Sequence, residues 1–335
     1  MLRHFLRIAA TVLILLPAMA AAEPIKLKLS FFTSDRSNIY QNSVKPFVDA
    51  VNNEGRGLIE IETDFSSAIA KVHAQMPQLV ADGTADMAII VPGLTPDRFD
   101  DTAVMELPRI YRDSHEASLV FTRLIEAGAL KGYNDFFVVG AFVTGAETIH
   151  SRKPIAANKD LKGLTIRTNN RTEADVLERL GAIPLLLAIN QTTDAISRDK
   201  IDGATFPPGM VFEFGVGRVT KYHYMIQLGG ATTALVMNRK KFESLPPEAR
   251  AIVRKYGGPW LADRFATGNQ ALDKLILEQL KSDPRRTVVF PSPSDLESTQ
   301  RIYTSVVEDW AGRSAHNREL LGMVEAELAK IRSTP

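Results

Sequence analysis

Short apolar runs of strand length alternate along this chain with segments whose apolar residues recur every three to four positions. Ile25–Phe32 (IKLKLSFF), Leu58–Glu62 (LIEIE), Asp86–Val91 (DMAIIV) and Phe136–Val143 (FFVVGAFV) have the length and residue types of buried strands. Between them, Val44, Phe47, Val48 and Val51 share one helical face, closed by Gly55. Ala117, Val120, Phe121, Leu124 and Ile125 share another, with Ser114 as the expected N-cap. Val72, Met76, Leu79 and Val80 form a third face ending at Gly83, and Pro77 is expected to kink it. The pattern then repeats. Leu164–Thr168, Ile183–Leu187 and Ala231–Asn238 read as strands, and Ala174, Leu177 and Leu180 line a helix closed by Gly181. Pro246-Pro247 opens a further helix, and Leu272, Leu275, Ile276 and Leu280 lie on a long one that ends at Pro284. This alternation predicts α/β layers built on a largely parallel sheet in each domain. Ligands in such sheets sit at the carboxyl ends of strands, and two domains place the site in the cleft between them.

Size agrees with two domains: the chain has 335 residues, and a domain takes roughly 100–200. The first 22 residues stand apart. Arg3 and Arg7 form a basic start, Ile8–Leu16 an apolar core, and Ala20-Ala21-Ala22 a small-residue cleavage site, the three parts of a secretory signal peptide. Pro17 and the alanines cut the run short of the about 20 apolar residues that a membrane span needs. The expectation is export with cleavage after Ala22. With no cysteine there is no disulfide framework, which points to a bacterial periplasm. Forty basic and 39 acidic residues leave no field that would attract nucleic acid.

Catalytic signatures are missing. There is no Gly-x-Ser-x-Gly elbow, His115-Glu116 lacks the second histidine of a zinc-protease helix, and Gly215-Val216-Gly217-Arg218 is neither a dinucleotide loop nor a P-loop. The six histidines show no ligand spacing, and Asp97, Asp100 and Asp101 read as loop acids. The expectation is a protein that is no enzyme and has neither metal nor cofactor.

Several stretches, in order, resemble the substrate-binding proteins of tripartite ATP-independent periplasmic (TRAP) transporters. Lys159–Arg167 (KDLKGLTIR) is similar to the family's DLKGLKIR motif, and Met105–Asp113 (MELPRIYRD) to its ELPF-x-F-R-D segment. Leu79–Ile89, Gly181–Pro184, Lys200–Gly203 and Val236–Pro247 resemble further family motifs. The resemblance implies two α/β domains hinged like a flytrap, with long helices along both and a ligand cleft between them. It divides the chain into 23–146 plus about 231–275, and 147–230 plus about 276–335. It also implies a monomer that binds a small organic carboxylate and delivers it to integral-membrane permease subunits; a periplasmic sensor of such a solute and, less favoured, a periplasmic enzyme are the alternative readings.

Arg167 occupies the motif arginine, which in this family forms a bidentate pair with the solute carboxylate. A guanidinium suits that role, because its two parallel donors match two oxygens and it stays charged when desolvated. The other family positions depart from the usual polar set. Glu147 falls where many members carry a second arginine, either paired with Arg152 at the surface or accepting from a solute hydroxyl. Phe206 falls where many have Asn or Trp, Gln191-Thr192-Thr193 replaces Glu-x-Tyr, and Phe32 and Val91 stand at strand ends that are often polar. Arg98, in the loop after the Asp86–Val91 strand, is a candidate second cation. One arginine among apolar residues ranks aromatic or branched monocarboxylates first, hydroxy or keto acids second, and dicarboxylates and sugar acids last.

Overall fold

A computed structural model of the chain describes residues 23–65 and 73–333, so the signal-peptide segment and Val72 lie outside the described residues. The elements follow one another as β1 (Ile25–Ser30), α1 (Lys45–Glu54), β2 (Ile59–Asp64), α2 (Met76–Ala81), β3 (Met87–Ile90), α3 (Ser114–Glu126) and β4 (Phe136–Val143). Then come β5 (Thr148–Ser151), β6 (Thr165–Thr168), α4 (Arg171–Arg179), β7 (Ile183–Leu186), α5 (Ile189–Ser197), β8 (Gly203–Phe206), α6 (Val216–Val219) and β9 (Tyr222–Tyr224). The chain ends with β10 (Thr232–Asn238), α7 (Arg239–Ser244), α8 (Pro247–Tyr256), α9 (Gly258–Ser282), β11 (Thr287–Val289), α10 (Pro293–Gly312) and α11 (Ala315–Ser333).

Two sheets result, ordered β2-β1-β3-β10-β4 and β11-β9-β5-β8-β6-β7. The first is covered on both faces. Along β3, Ala88 and Ile90 enter the core shared with α3, while Met87 and Ile89 enter the core shared with α1. Burial on both sides is why these strands read as unbroken apolar runs. In the second sheet Ile149, Ile166 and Tyr224 face one core, and Ala204 and Phe206 face the other.

Neither sheet is as parallel as the sequence suggests. β10 runs antiparallel to β3 and β4, and β5 runs antiparallel to β8 and β9. Each of these strands enters its sheet directly after the chain crosses from the other half, with no helical crossover to set a parallel direction. The two crossings pair with each other: Glu147 N donates to Gly229 O at 2.7 Å, Leu228 N to Glu147 O at 3.0 Å, and Thr144 N to Ala231 O at 3.0 Å. Glycine is required here by close approach, since a Cβ on Gly230 would lie 2.8 Å from Thr144 O.

Local details also differ from expectation. Pro77 sits in the first turn of α2, where a missing N–H costs nothing, so it starts the helix instead of kinking it. Asp113, one residue earlier than Ser114, caps α3 by accepting from Glu116 N at 2.9 Å. Leu275 is exposed on α9. The long helices join the halves: Leu261 and Phe265 of α9 pack in the first sheet's core, and Ile276 and Leu280 in the second's. α10 places Tyr303 and Val306 in the second sheet's core and Trp310 in the first's. Leu320, Val324 and Leu328 of α11 then pack with Val120 and Leu124 of α3. The final helix thus lies on the first half, although 276–335 was expected to belong with the second. After Gly312 the chain turns back, and Asn317 Nδ2 ties that turn to Trp310 O at 3.0 Å.

Candidate ligand-binding site

Between the sheets lies a partly open cavity. The first half lines it with Phe32 after β1, Val91 and Leu94 after β3, and Thr233 of β10. The second lines it with Glu147, Arg167 on β6, Asn169, Ile189, Phe206 at the end of β8, and Met210. An adjoining apolar lobe shares Phe32 and Met210 and reaches Phe142 and Phe265.

Arg167 is held by its own strand neighbours. β6 pairs with β7 and β8, so the side chain rises from the sheet interior with only 3% of its surface exposed. Its Nε donates to Leu187 O at 2.8 Å and its Nη1 to Thr205 O at 3.2 Å. The guanidinium carbon stands 4.9 Å from the Phe206 ring centre, a cation–π arrangement. Among the described residues it forms no direct ion pair, and Glu147 and Glu173 act on it only at longer range. A buried guanidinium without a contacting anion is an anion-binding group.

Two buried carboxyls, Glu173 and Glu147, act on its charge, and a third, Glu106, acts on Glu173. Asn170 caps α4, its Oδ1 accepting from Glu173 N at 2.7 Å, and this turn sets Glu173 behind Arg167. Glu173 Oε2 accepts from Thr205 Oγ1 at 3.0 Å and from Thr168 Oγ1. Glu147, 2% exposed, accepts from Asn169 Nδ2 at 3.1 Å through Oε1. Glu106, in the helical turn Asp100–Glu106, accepts from Thr232 Oγ1 at 2.6 Å. Burial pushes all three carboxyls above the usual range, Glu106 to about 8, and Glu173 repels the other two. Arg167 and the hydroxyl donors oppose the rise at Glu147 and Glu173.

Five of the six candidate residues, Phe32, Val91, Glu147, Arg167 and Phe206, line this one cavity. Arg98 does not. It donates to Asp135 Oδ2 at 2.6 Å and Gly132 O at 3.2 Å and covers the Phe136 ring, so it fastens a loop. Arg152 pairs with Asp199, which removes the surface pairing considered for Glu147. Thr192 and Thr193 of α5 are spent on Ala188 O and Phe214 O. Sequence reasoning missed Asn169, Ile189 and Met210. Asn169 was within reach of it, being two residues beyond Arg167 and directly after the end of β6.

Among known proteins, a TRAP solute-binding protein from Rhodoferax ferrireducens, in complex with copurified benzoate, superposes with a TM-score of 0.82. It is 29% identical, over 91% of this chain and 98% of that one. A marine metagenome TRAP protein specific for aromatic acid ligands, in complex with 3-hydroxybenzoate, shares the fold at a TM-score of 0.85 and 23% identity, over 92% and 99%. The C4-dicarboxylate-binding periplasmic protein of Rhodobacter capsulatus is 22% identical over 74% of this chain and 75% of its own. The family model for bacterial extracellular solute-binding protein, family 7, matches residues 29–313. The chain belongs to that family, with the two-domain fold of the TRAP solute receptors.

Proposed function

We propose that this protein is a periplasmic receptor that binds an aromatic or other apolar monocarboxylate between its two domains and hands it to a TRAP-type membrane permease. The observation that carries this reading is the buried, unpaired Arg167 in a cavity otherwise dominated by Phe32, Val91, Leu94, Phe206 and Met210. The guanidinium matches one carboxylate, and apolar walls favour a ring by about 25 cal/mol per Å² buried, plus about 0.5–1.5 kcal/mol for stacking on Phe206. The benzoate complex of the Rhodoferax relative supports the same class. A C4-dicarboxylate would bring a second charge toward Glu147 and find no further cation among the described lining residues.

Hydroxy or keto acids are the second reading, favoured by the polar atoms of Glu147 and Asn169 beside Arg167. The proposed division keeps residues 23–146, the return from about 231 and the final helix in one domain, and 147–230 with 287–289 in the other. The two close about the crossings at 144–147 and 228–231. Export follows from the leader ending at Ala22, and the receptor acts as a monomer.

A thermal-shift panel on ligand-stripped protein tests the class, since a ligand that binds only the folded state raises the melting temperature. Benzoate-type acids are expected to give the largest shifts. A dominant response to succinate or a sugar acid would overturn the reading.

A further inference from the structure

Among the described residues the cavity lining holds one cation, Arg167, and two buried acids, Glu147 and Glu173, act on its charge. With a bound solute carboxylate there would be three anionic groups around Arg167, and a buried site does not readily hold three ionised carboxyls against one guanidinium. At least one of them keeps its proton. The hydrogen bonds say which. Glu173 Oε2 receives two hydroxyl donors, Thr168 and Thr205, an arrangement that suits a carboxylate, and Glu106 receives Thr232. Glu147 is the acid that lines the cavity. Its Oε1 is engaged by Asn169, while its Oε2, like Glu173 Oε1, is buried without a hydrogen-bond partner, and of these two acids only Glu147 faces the cavity.

An unpartnered buried oxygen at the edge of an anion site is costly unless it is a hydroxyl that finds an acceptor when the solute arrives. We propose that Glu147 is a neutral carboxylic acid in the solute-bound site and donates its Oε2 proton to a solute oxygen, making it the specificity-determining partner of Arg167. The inference rests on the reading that a solute carboxylate occupies Arg167. The oxygen it selects is the second carboxylate oxygen, or a hydroxy or keto oxygen beside it. The groups that face Glu147 agree with this role. Arg167 on β6 attracts its ionised form, Glu173 on α4 repels it, Asn169 bonds its Oε1, and the nearby Thr205 hydroxyl on β8 is spent on Glu173. Glu106, on the turn before α3, adds its own buried acid to the set through Glu173. Glu147 also sits in the paired crossings through its backbone N–H and C=O, so the donor is carried on the hinge itself.

Two readouts test this. In ligand-free protein carrying 13C at the glutamate carboxyls, the NMR signal that disappears in Glu147→Gln is expected to titrate well above the ordinary carboxyl range. A signal titrating in the ordinary range below pH 5 would overturn the proposal. Calorimetric titration with benzoate, an anion throughout pH 6–9, is expected to show affinity falling by about tenfold per pH unit once Glu147 ionises. That slope is expected to vanish in Glu147→Gln. An identical slope in both proteins, or none in the wild type, would contradict it. If benzoate fails to bind at any pH, the solute class falls, and the carboxyl signal still decides the state of Glu147.

Discussion

The two walls of the cavity are built on opposite principles. The first half contributes Phe32, Val91 and Leu94 from loops at the carboxyl ends of β1 and β3, and its charged residues lie elsewhere. The second contributes Arg167, Glu147 and Asn169, fixed by strand pairing and by the Asn170 cap. One wall offers area and the other offers direction. A solute with a charged end and an apolar body satisfies both at once.

Removing the anchor of the polar wall is expected to have the largest effect. Truncating one partner of a buried charge pair costs about 2–5 kcal/mol, so Arg167→Ala should weaken benzoate binding by more than tenfold in a calorimetric titration. Arg167→Lys should also be severe, because an ammonium cannot supply the planar fork. Near-normal affinity in either variant would place the anchor elsewhere. Thinning the apolar wall should cost less: Phe32→Ala is expected to lower benzoate affinity by about 1–2 kcal/mol through lost contact area and stacking. Small-angle scattering adds a structural counterpart. Saturating ligand should reduce the radius of gyration, and an unchanged value would confine the site to one wall.

The region behind the polar wall makes a pH prediction. His150 Nδ1 and His223 Nδ1 lie 2.8 Å apart, buried beneath Phe206, whose carbonyl His150 Nε2 also contacts at 3.1 Å. Burial pushes His150 down to about 4 and His223 to about 2, and each ring is further disfavoured as a cation by Arg286. The unfolded chain takes up these protons near pH 6.5 and the folded one refuses them, so stability is full above about 6.5 and drains away as pH falls toward 4. Glu106, raised to about 8, acts in the opposite sense: its contribution is full below about 4.5 and is lost as pH rises through 8. Glu106, Glu147 and Glu173 oppose the histidines between pH 6.5 and 4, so the contrast lies between proteins: over this range the melting temperature of His150→Gln should fall less than that of the wild type. An equal fall in both proteins would remove the histidine pair from the acid response.

The smallest effect is expected at Arg98. Replacing it by Ala should leave benzoate affinity unchanged and cost about 1 kcal/mol of stability, since it ties Gly132 and Asp135 to the Phe136 ring. A loss of affinity would return it to the site.

Much of this is legible in the sequence. Strand runs such as Phe136–Val143 and the helical face at Val120 and Leu124 follow from apolar spacing, and Arg167 from its motif. The sheet directions were not, because β5 and β10 take their sense from hinge crossings that leave no periodic signal. The place of α11 was hidden for a similar reason, since its apolar residues fit either core equally well until the turn at Gly312 is known. Arg98 misled because position in a strand-end loop carries no information about which way a side chain points, and Asp135, its partner, is distant in sequence.

The central claim is most directly tested by a crystal structure of ligand-stripped protein with benzoate bound. The account predicts the carboxylate on the Arg167 guanidinium, one of its oxygens within hydrogen-bond reach of Glu147, and the ring among Phe32, Val91 and Phe206. A carboxylate held by any other cation, or a ring lying against Glu147 with Arg167 unoccupied, would contradict it.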